Sequence, residues 1–125
     1  MMAASWFTLC GYAVTWPLEP CRYDLLVNRN SEFLRVQVKT SWKKRGNTWV
    51  VSLTSTGHPT GGSSRYQVYG PDEIDHFFVI DGELNYYLLP LAVVGGLTGI
   101  SLSAYAGYRV VCGTGISQPQ TSQPT

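Results

Sequence analysis

Residues 33–40 alternate without a break: Leu34, Val36 and Val38 fall on one side, and Phe33, Arg35, Gln37 and Lys39 on the other. A period of two scatters its apolar residues around a helix but lines them up on a strand, so the run specifies a half-buried strand with one polar face. Residues 23–28 upstream are also strand-like, and Arg29-Asn30-Ser31 between them is a polar turn. Two strands so joined form a β-hairpin. It sets Asp24 where one strand begins and puts Gln37 and Lys39 together on its neighbour.

The flanking segments fill in the rest. Residues 2–10 read as the last turns of a helix, apolar nearly all round, with Gly11 as its stop. Residues 12–15 start a strand, and Trp16-Pro17-Leu18-Glu19-Pro20 is an extended connection. Residues 41–47 read as a basic loop, 49–54 as a third strand and 57–64 as a flexible loop. Pro71-Asp72-Glu73-Ile74-Asp75 is a helical turn with acids at its N-terminal end. Residues 76–80 and 86–91 are strands about an Asp81-Gly82 turn, and 99–102 and 108–112 are short late strands. A helix, antiparallel strands, a turn and more strands make an α+β fold with a mixed sheet flanked by helices. One domain over residues 1–112 fits a chain of 125 residues. Residues 113–125, rich in Ser, Gln, Pro and Thr, read as a disordered tail.

Charge narrows the partner. The whole chain carries only +1, but residues 22–65 balance to +6 and residues 66–125 to −4. A basic half of this kind supplies phosphate contacts or is a solvated face. Residues 84–108 carry no charge, yet Pro90, Gly95, Gly96, Gly99 and Gly107 interrupt them as they would short buried strands, not a spanning helix, so no membrane is expected. The odd count and wide spacing of Cys10, Cys21 and Cys112 argue against a disulfide framework. They point to buried thiols in a reducing, intracellular, cytoplasmic compartment. With no CxxC or HxxxH pair and with His58 and His76 far apart, a structural zinc site is not expected. Neither histidine supports a hydrolase triad, and residues 57–62 lack the ending of a phosphate loop.

Phosphodiester hydrolysis needs a divalent cation, which takes hard oxygen ligands and keeps several waters. Asp24, Gln37 and Lys39 can meet at one site, and the backbone carbonyl of Val38 can add an oxygen. Lys39 can orient or deprotonate the attacking water and stabilise developing charge. An Asp at a strand start and a Lys on a strand face are common, so the spacing alone is a weak signal.

The segments Tyr23-Asp24-Leu25-Leu26-Val27 and Leu34-Arg35-Val36-Gln37-Val38-Lys39-Thr40 resemble the intron-encoded endonuclease branch of the PD-(D/E)XK superfamily. That branch carries "PYDL" and "RVQVKT" segments, with Gln in place of the acidic residue of (D/E)XK, and its phage relatives are often labelled Holliday junction resolvases. Gly11-Tyr12-Ala13-Val14 with Pro17 resembles the family's helix end and first strand. Glu19 sits where relatives often have a polar or acidic residue. Asp72-Glu73-Ile74-Asp75 resembles part of "DEVDYFAVY", and Tyr87-Leu88-Leu89-Pro90-Leu91 resembles "YLIPL". The resemblance runs over about residues 2–110. It implies a restriction-endonuclease-like core with Asp24 as metal-binding aspartate, Gln37 at the second ligand position and Lys39 as catalytic lysine. It also implies Mg²⁺ or Mn²⁺ as cofactor, DNA as partner, and a homodimer or higher homo-oligomer to cut two strands.

One departure bears on activity. Relatives carry a glutamate early in the first helix, and here that position falls at or before Met1, as though the helix were truncated or the acid lost. The competing reading is therefore a weakened or inactive domain that binds DNA or protein. Arg35, Lys43, Lys44 and Arg45 are the expected phosphate contacts. Trp42 and Trp49 flank the basic stretch as candidates for base stacking, with core packing favoured for Trp49. Asp75 is expected to brace a turn, not to be a catalytic acid.

Overall fold

A computed structural model describes residues 2–18, 21–56 and 66–111; the expected flexible loop at 57–64, Glu19 and the tail at 113–125 lie outside the described residues. The chain starts with helix α1 (Met2–Leu9). It ends in the left-handed cap expected of Gly11, at φ +95°, where the Tyr12 N–H donates to the Phe7 carbonyl at 3.0 Å. Strand β1 (Ala13–Thr15) follows, and then the hairpin of β2 (Leu25–Arg29) and β3 (Glu32–Thr40). Asn30 and Ser31, at φ 52° and 73°, form the two-residue turn, whose backbone twist matches that of paired strands.

The three remaining strands of the main sheet are β8 (His76–Ile80), β9 (Tyr86–Pro90) and β11 (Arg109–Val110). Their order is β1-β2-β3-β8-β9-β11, with β3 and β8 parallel and every other pair antiparallel. A second sheet, β10-β5-β4, comprises β4 (Lys43–Arg45), β5 (Thr48–Ser52) and β10 (Gly99–Ser101). A small pair joins β6 (Thr54–Thr56) to β7 (Tyr66–Val68).

The main sheet has a core on each face. On one, Ala3, Ala4 and Phe7 of α1 pack on Leu25, Val27, Leu34, Val36, Phe78 and Ile80. On the other, Phe77, Val79 and Leu89 meet Val51, Leu53 and Ile100 of the second sheet and its surroundings. The period-two pattern of β3 explains the division: its even residues enter the α1 core, and its polar odd residues rise on the opposite face. The fold is α+β with a mixed sheet.

Three expectations change. The basic loop at 41–47 contains strand β4, which pairs with β5 about Gly46 at φ +66°. Its backbone bonds, not apolar alternation, make it a strand. The late uncharged region holds a short helix α2 (Leu91–Val94) and a 3₁₀ segment (Leu102–Tyr108) as well as strands. Among the described residues no helix is long and apolar enough to cross a membrane. The expected pattern of buried thiols does not hold, since Cys21 is free and exposed and Cys10 is disulfide-bonded.

The turn between β8 and β9 is built on Asp81, which is buried. Its carboxylate accepts the N–H groups of Glu83 and Asn85 at 2.8 and 2.9 Å. Gly82 has no room for a side chain, because a Cβ there would lie 2.1 Å from the Trp49 ring. Trp49 thereby locks the β4–β5 hairpin against the main sheet, the packing role expected of it.

Candidate active site

Asp24 stands just before β2. Its N–H donates to the Val36 carbonyl at 2.8 Å, and its Oδ2 accepts the Val38 N–H at 3.1 Å. Backbone and carboxylate are thus both tied to β3, which fixes the side chain over the Gln37–Lys39 stretch. Gln37 is half-buried, with Nε2 3.4 Å from the Val38 carbonyl. Gln37 and Lys39 pair with Phe77 and Val79 of β8 in the interior of the sheet. Side chains rooted there are held more firmly than side chains on a loop.

Lys39 is half-buried. Its Nζ donates to the Thr54 carbonyl at 2.8 Å and lies 5.3 Å from the centroid of the Tyr69 ring. Burial lowers its pKa below the ordinary lysine value; Asp24 opposes that shift and Arg22 adds to it. The structure therefore brings Asp24, Gln37, Val38 and Lys39 together. Their oxygens are one carboxylate, one carboxamide and one backbone carbonyl, a hard donor set suited to a divalent cation. Among the described residues no group of three or more His, Cys, Asp or Glu that could hold a metal ion exists.

Arg35 shares a face with Gln37 and Lys39 but not their environment. Its Nε and Nη2 donate to the two Asp75 carboxylate oxygens at 3.1 and 3.0 Å. Nη1 and Nη2 also donate to the Asp72 and Pro71 carbonyls at 2.6 and 2.8 Å. The Asp75 N–H closes the ring on the Arg35 carbonyl at 2.8 Å. These bonds hold the Asp75 carboxyl below its usual pKa and raise that of Arg35. Arg35 is turned inward as a brace, which does not fit its expected place among the phosphate contacts. Asp75 braces the turn, as expected.

Lys43, Lys44 and Arg45 are all exposed on β4, but the strand divides them. Lys43 and Arg45 line an open cavity of about 640 Å³ with Trp42, Ser52, Thr98 and Ser101. Lys44 lies over the Trp49 ring, 5.0 Å from its centroid. Trp42 is 75% exposed.

Sequence reasoning missed Thr54, Tyr69 and Arg22. Tyr69 is buried against Phe77, and its ring carries Arg22 at 4.2 Å as well as Lys39. Arg22 stands two residues before Asp24, which is visible in the sequence; its meeting with Tyr69 is a long-range contact and is not.

A family model described as PD-(D/E)XK endonuclease matches residues 2–103. The solved structure of a bacterial homing endonuclease, I-Ssp6803I, is similar with a TM-score of 0.68 at 24% identity, covering 94% of this chain and 77% of that chain. At that identity the likeness concerns the fold. No curated protein matches. The family match spans the hairpin with Asp24, Gln37 and Lys39, so the chain belongs to the PD-(D/E)XK endonuclease family.

Proposed function

We propose that this chain is a divalent-metal-dependent DNA endonuclease, with Asp24, Gln37 and the Val38 carbonyl as metal ligands and Lys39 as the catalytic lysine. The observation that carries the reading is Lys39: an amine withdrawn from water and lowered in pKa, on the strand to which the Asp24 carboxylate is bonded. Burial lowers the amine's hold on its proton, the direction that a proton-accepting lysine requires. Bound Mg²⁺ or Mn²⁺ would supply Lewis-acid polarisation of the phosphoryl oxygen and acidify a water. The protein's own part is to orient. Asp24 is fixed by two hydrogen bonds to β3, Lys39 takes up the water's proton at Nζ, and the Thr54 carbonyl holds that nitrogen in place.

Lys43 and Arg45 supply phosphate contacts along the adjoining cavity. With one such site per chain, two copies act together on a duplex. A second reading, a domain that holds DNA without cutting it, is favoured by one observation: the second ligand position holds the neutral Gln37, and no group of three or more His, Cys, Asp or Glu gathers among the described residues.

The test is cleavage of linear and branched DNA with Mg²⁺, Mn²⁺ or EDTA, comparing wild type with Lys39→Ala and Asp24→Ala. Metal-dependent cutting lost in both variants is expected. Cutting in EDTA, or in both variants, would overturn the assignment. Preference for branched over linear substrate separates a resolvase-like role from a homing-type one, and binding without cutting selects the second reading.

A further inference from the structure

The second sheet has two unlike sides. Cross-strand partners share a side of a sheet, so the register sorts them. Lys44 with Trp49, and Val51 with Ile100, lie on the inner side, where Trp49 abuts Gly82 and where Val51 and Ile100 enter the core. Lys43 with Val50 and Ser101, Arg45 with Thr48, and Ser52 with Gly99 lie on the outer side. The cavity of about 640 Å³ is lined from this outer side. Its volume is in the range of sites that hold small ligands, about 300–1,000 Å³. Among the described residues its lining has two cations and no acid, with hydroxyls of Ser52, Thr98 and Ser101 beside them. Trp42 completes the lining; it is 75% exposed, and the Lys43 ammonium is 5.8 Å from its ring centroid. A ring so exposed adds little to the core and keeps apolar surface open to a ligand. Ser52 ties the cavity to the lysine of the active site. Its hydroxyl is 3.1 Å from Thr54 Oγ1, and the Thr54 carbonyl accepts Lys39 Nζ at 2.8 Å.

We propose that this cavity takes an unpaired nucleotide of the DNA, with its base stacked on Trp42 and its phosphate held by Lys43 and Arg45. The preferred substrate then carries a single-stranded element beside the cut. The inference rests on the nuclease reading and deepens it, since it names the form of DNA presented to Asp24 and Lys39. The two cations alone serve paired and unpaired strands alike. The ring makes the difference. In a continuous duplex the faces of each base are covered by its neighbours and only the edges reach the grooves, so stacking on Trp42 would first require unpairing and unstacking. An unpaired base has a face free, and because every base has such a face the contact tolerates any sequence.

The experiment measures anisotropy of two fluorescein-labelled DNAs in EDTA, a blunt duplex and the same duplex with a single-stranded overhang at one end, and then their cleavage in Mg²⁺. Wild type is compared with Trp42→Ala, Trp42→Leu, Trp42→Phe and Lys43→Ala. Wild type binds the overhang DNA more tightly than the blunt one. Trp42→Ala weakens overhang binding by about fivefold or more and blunt binding by less than about twofold, and Trp42→Phe, which keeps a ring, retains part of the difference. Stacking releases no counterions, so Trp42→Ala leaves the slope of log affinity against log salt unchanged, whereas Lys43→Ala flattens it by about 0.7 on the overhang. In Mg²⁺ the faster cutting of overhang DNA is lost in Trp42→Ala. Equal affinity of wild type for the two DNAs overturns the proposal, and so does a Trp42→Ala variant that weakens both alike or neither. Should Trp42→Ala not fold, Trp42→Leu, which keeps apolar bulk without the ring, decides the same ratio. Wild type that binds both DNAs without cutting removes the nuclease reading and leaves the affinity ratio to decide this one. Wild type that binds neither overturns both.

Discussion

Arg35 and Lys39 rise from the same face of one strand, and they have opposite surroundings. Arg35 is met by both oxygens of Asp75 and by two backbone carbonyls. Lys39 is drawn out of water toward a single carbonyl and the face of a ring. At Arg35 the fold satisfies a charge completely, and the result is a fastener between β3 and the start of β8. At Lys39 it satisfies a charge partly, and the result is a proton held less tightly than usual. A charge that the fold has already neutralised is structural; one held short of its needs is available for chemistry.

The contrast can be broken in four ways. Lys39→Ala has the largest expected effect: cleavage falls about 10²–10⁴-fold in single-turnover assays, while the melting temperature holds or rises, because a desolvated charge is removed. A large fall in stability instead would make Lys39 a second fastener. Asp75→Ala should do the reverse, costing about 1–3 kcal/mol in denaturant titrations and leaving cleavage per folded molecule within a few-fold. The lower part of that range reflects solvent screening, since the two side chains are 29% and 33% exposed.

The same distinction between spent and available charge divides β4. Lys43→Ala and Arg45→Ala should each flatten the salt dependence of DNA binding by roughly one phosphate, and Lys44→Ala, whose ammonium lies over Trp49, by clearly less. Equal slopes for all three would dissolve the division. The smallest effect concerns pH. The folded-state pKa of Asp75 is depressed, chiefly by its hydrogen bond from Arg35. Its contribution to stability is therefore present above its unfolded value of about 4 and is lost as pH falls through the lower folded value. Acid titrations of wild type and Asp75→Asn should begin to draw together as pH falls below ~4 and meet once it has passed the lower folded value. A constant gap down to strong acid would mean that the carboxylate is not what Arg35 needs.

These outcomes also measure how much of the molecule the sequence discloses. The hairpin of β2 and β3 was legible because both its signals are local, a period of two and a polar turn. Asp24, Gln37 and Lys39 came with it, since the register of a hairpin places side chains as well as backbone. Strand β4 was not legible, because Lys43, Lys44 and Arg45 carry no apolar alternation and its partner strand alone makes it a strand. Arg35 misled for a related reason. Composition records a charge but not whether it is spent, and Asp75, forty positions along, spends it. Tyr69 was not legible as part of the site, because its contacts with Arg22 and Lys39 are long-range.

The parallel pairing of β3 with β8 has a kinetic consequence. It joins a part made by short-range contacts, β1 to β3, to another in which β8, β9 and β11 pair antiparallel. Everything from Ser41 to Asp75 must close as a loop before that seam forms, and closing such a loop costs entropy that few early contacts repay. Thr54 and Tyr69, which give Lys39 its dry surroundings, both belong to this loop. A chain caught before closure would display the same Asp24, Gln37 and Lys39 on a formed hairpin, with the lysine still bathed in water. Until that loop closes, Lys39 lacks the two neighbours, Thr54 and Tyr69, that draw it out of water.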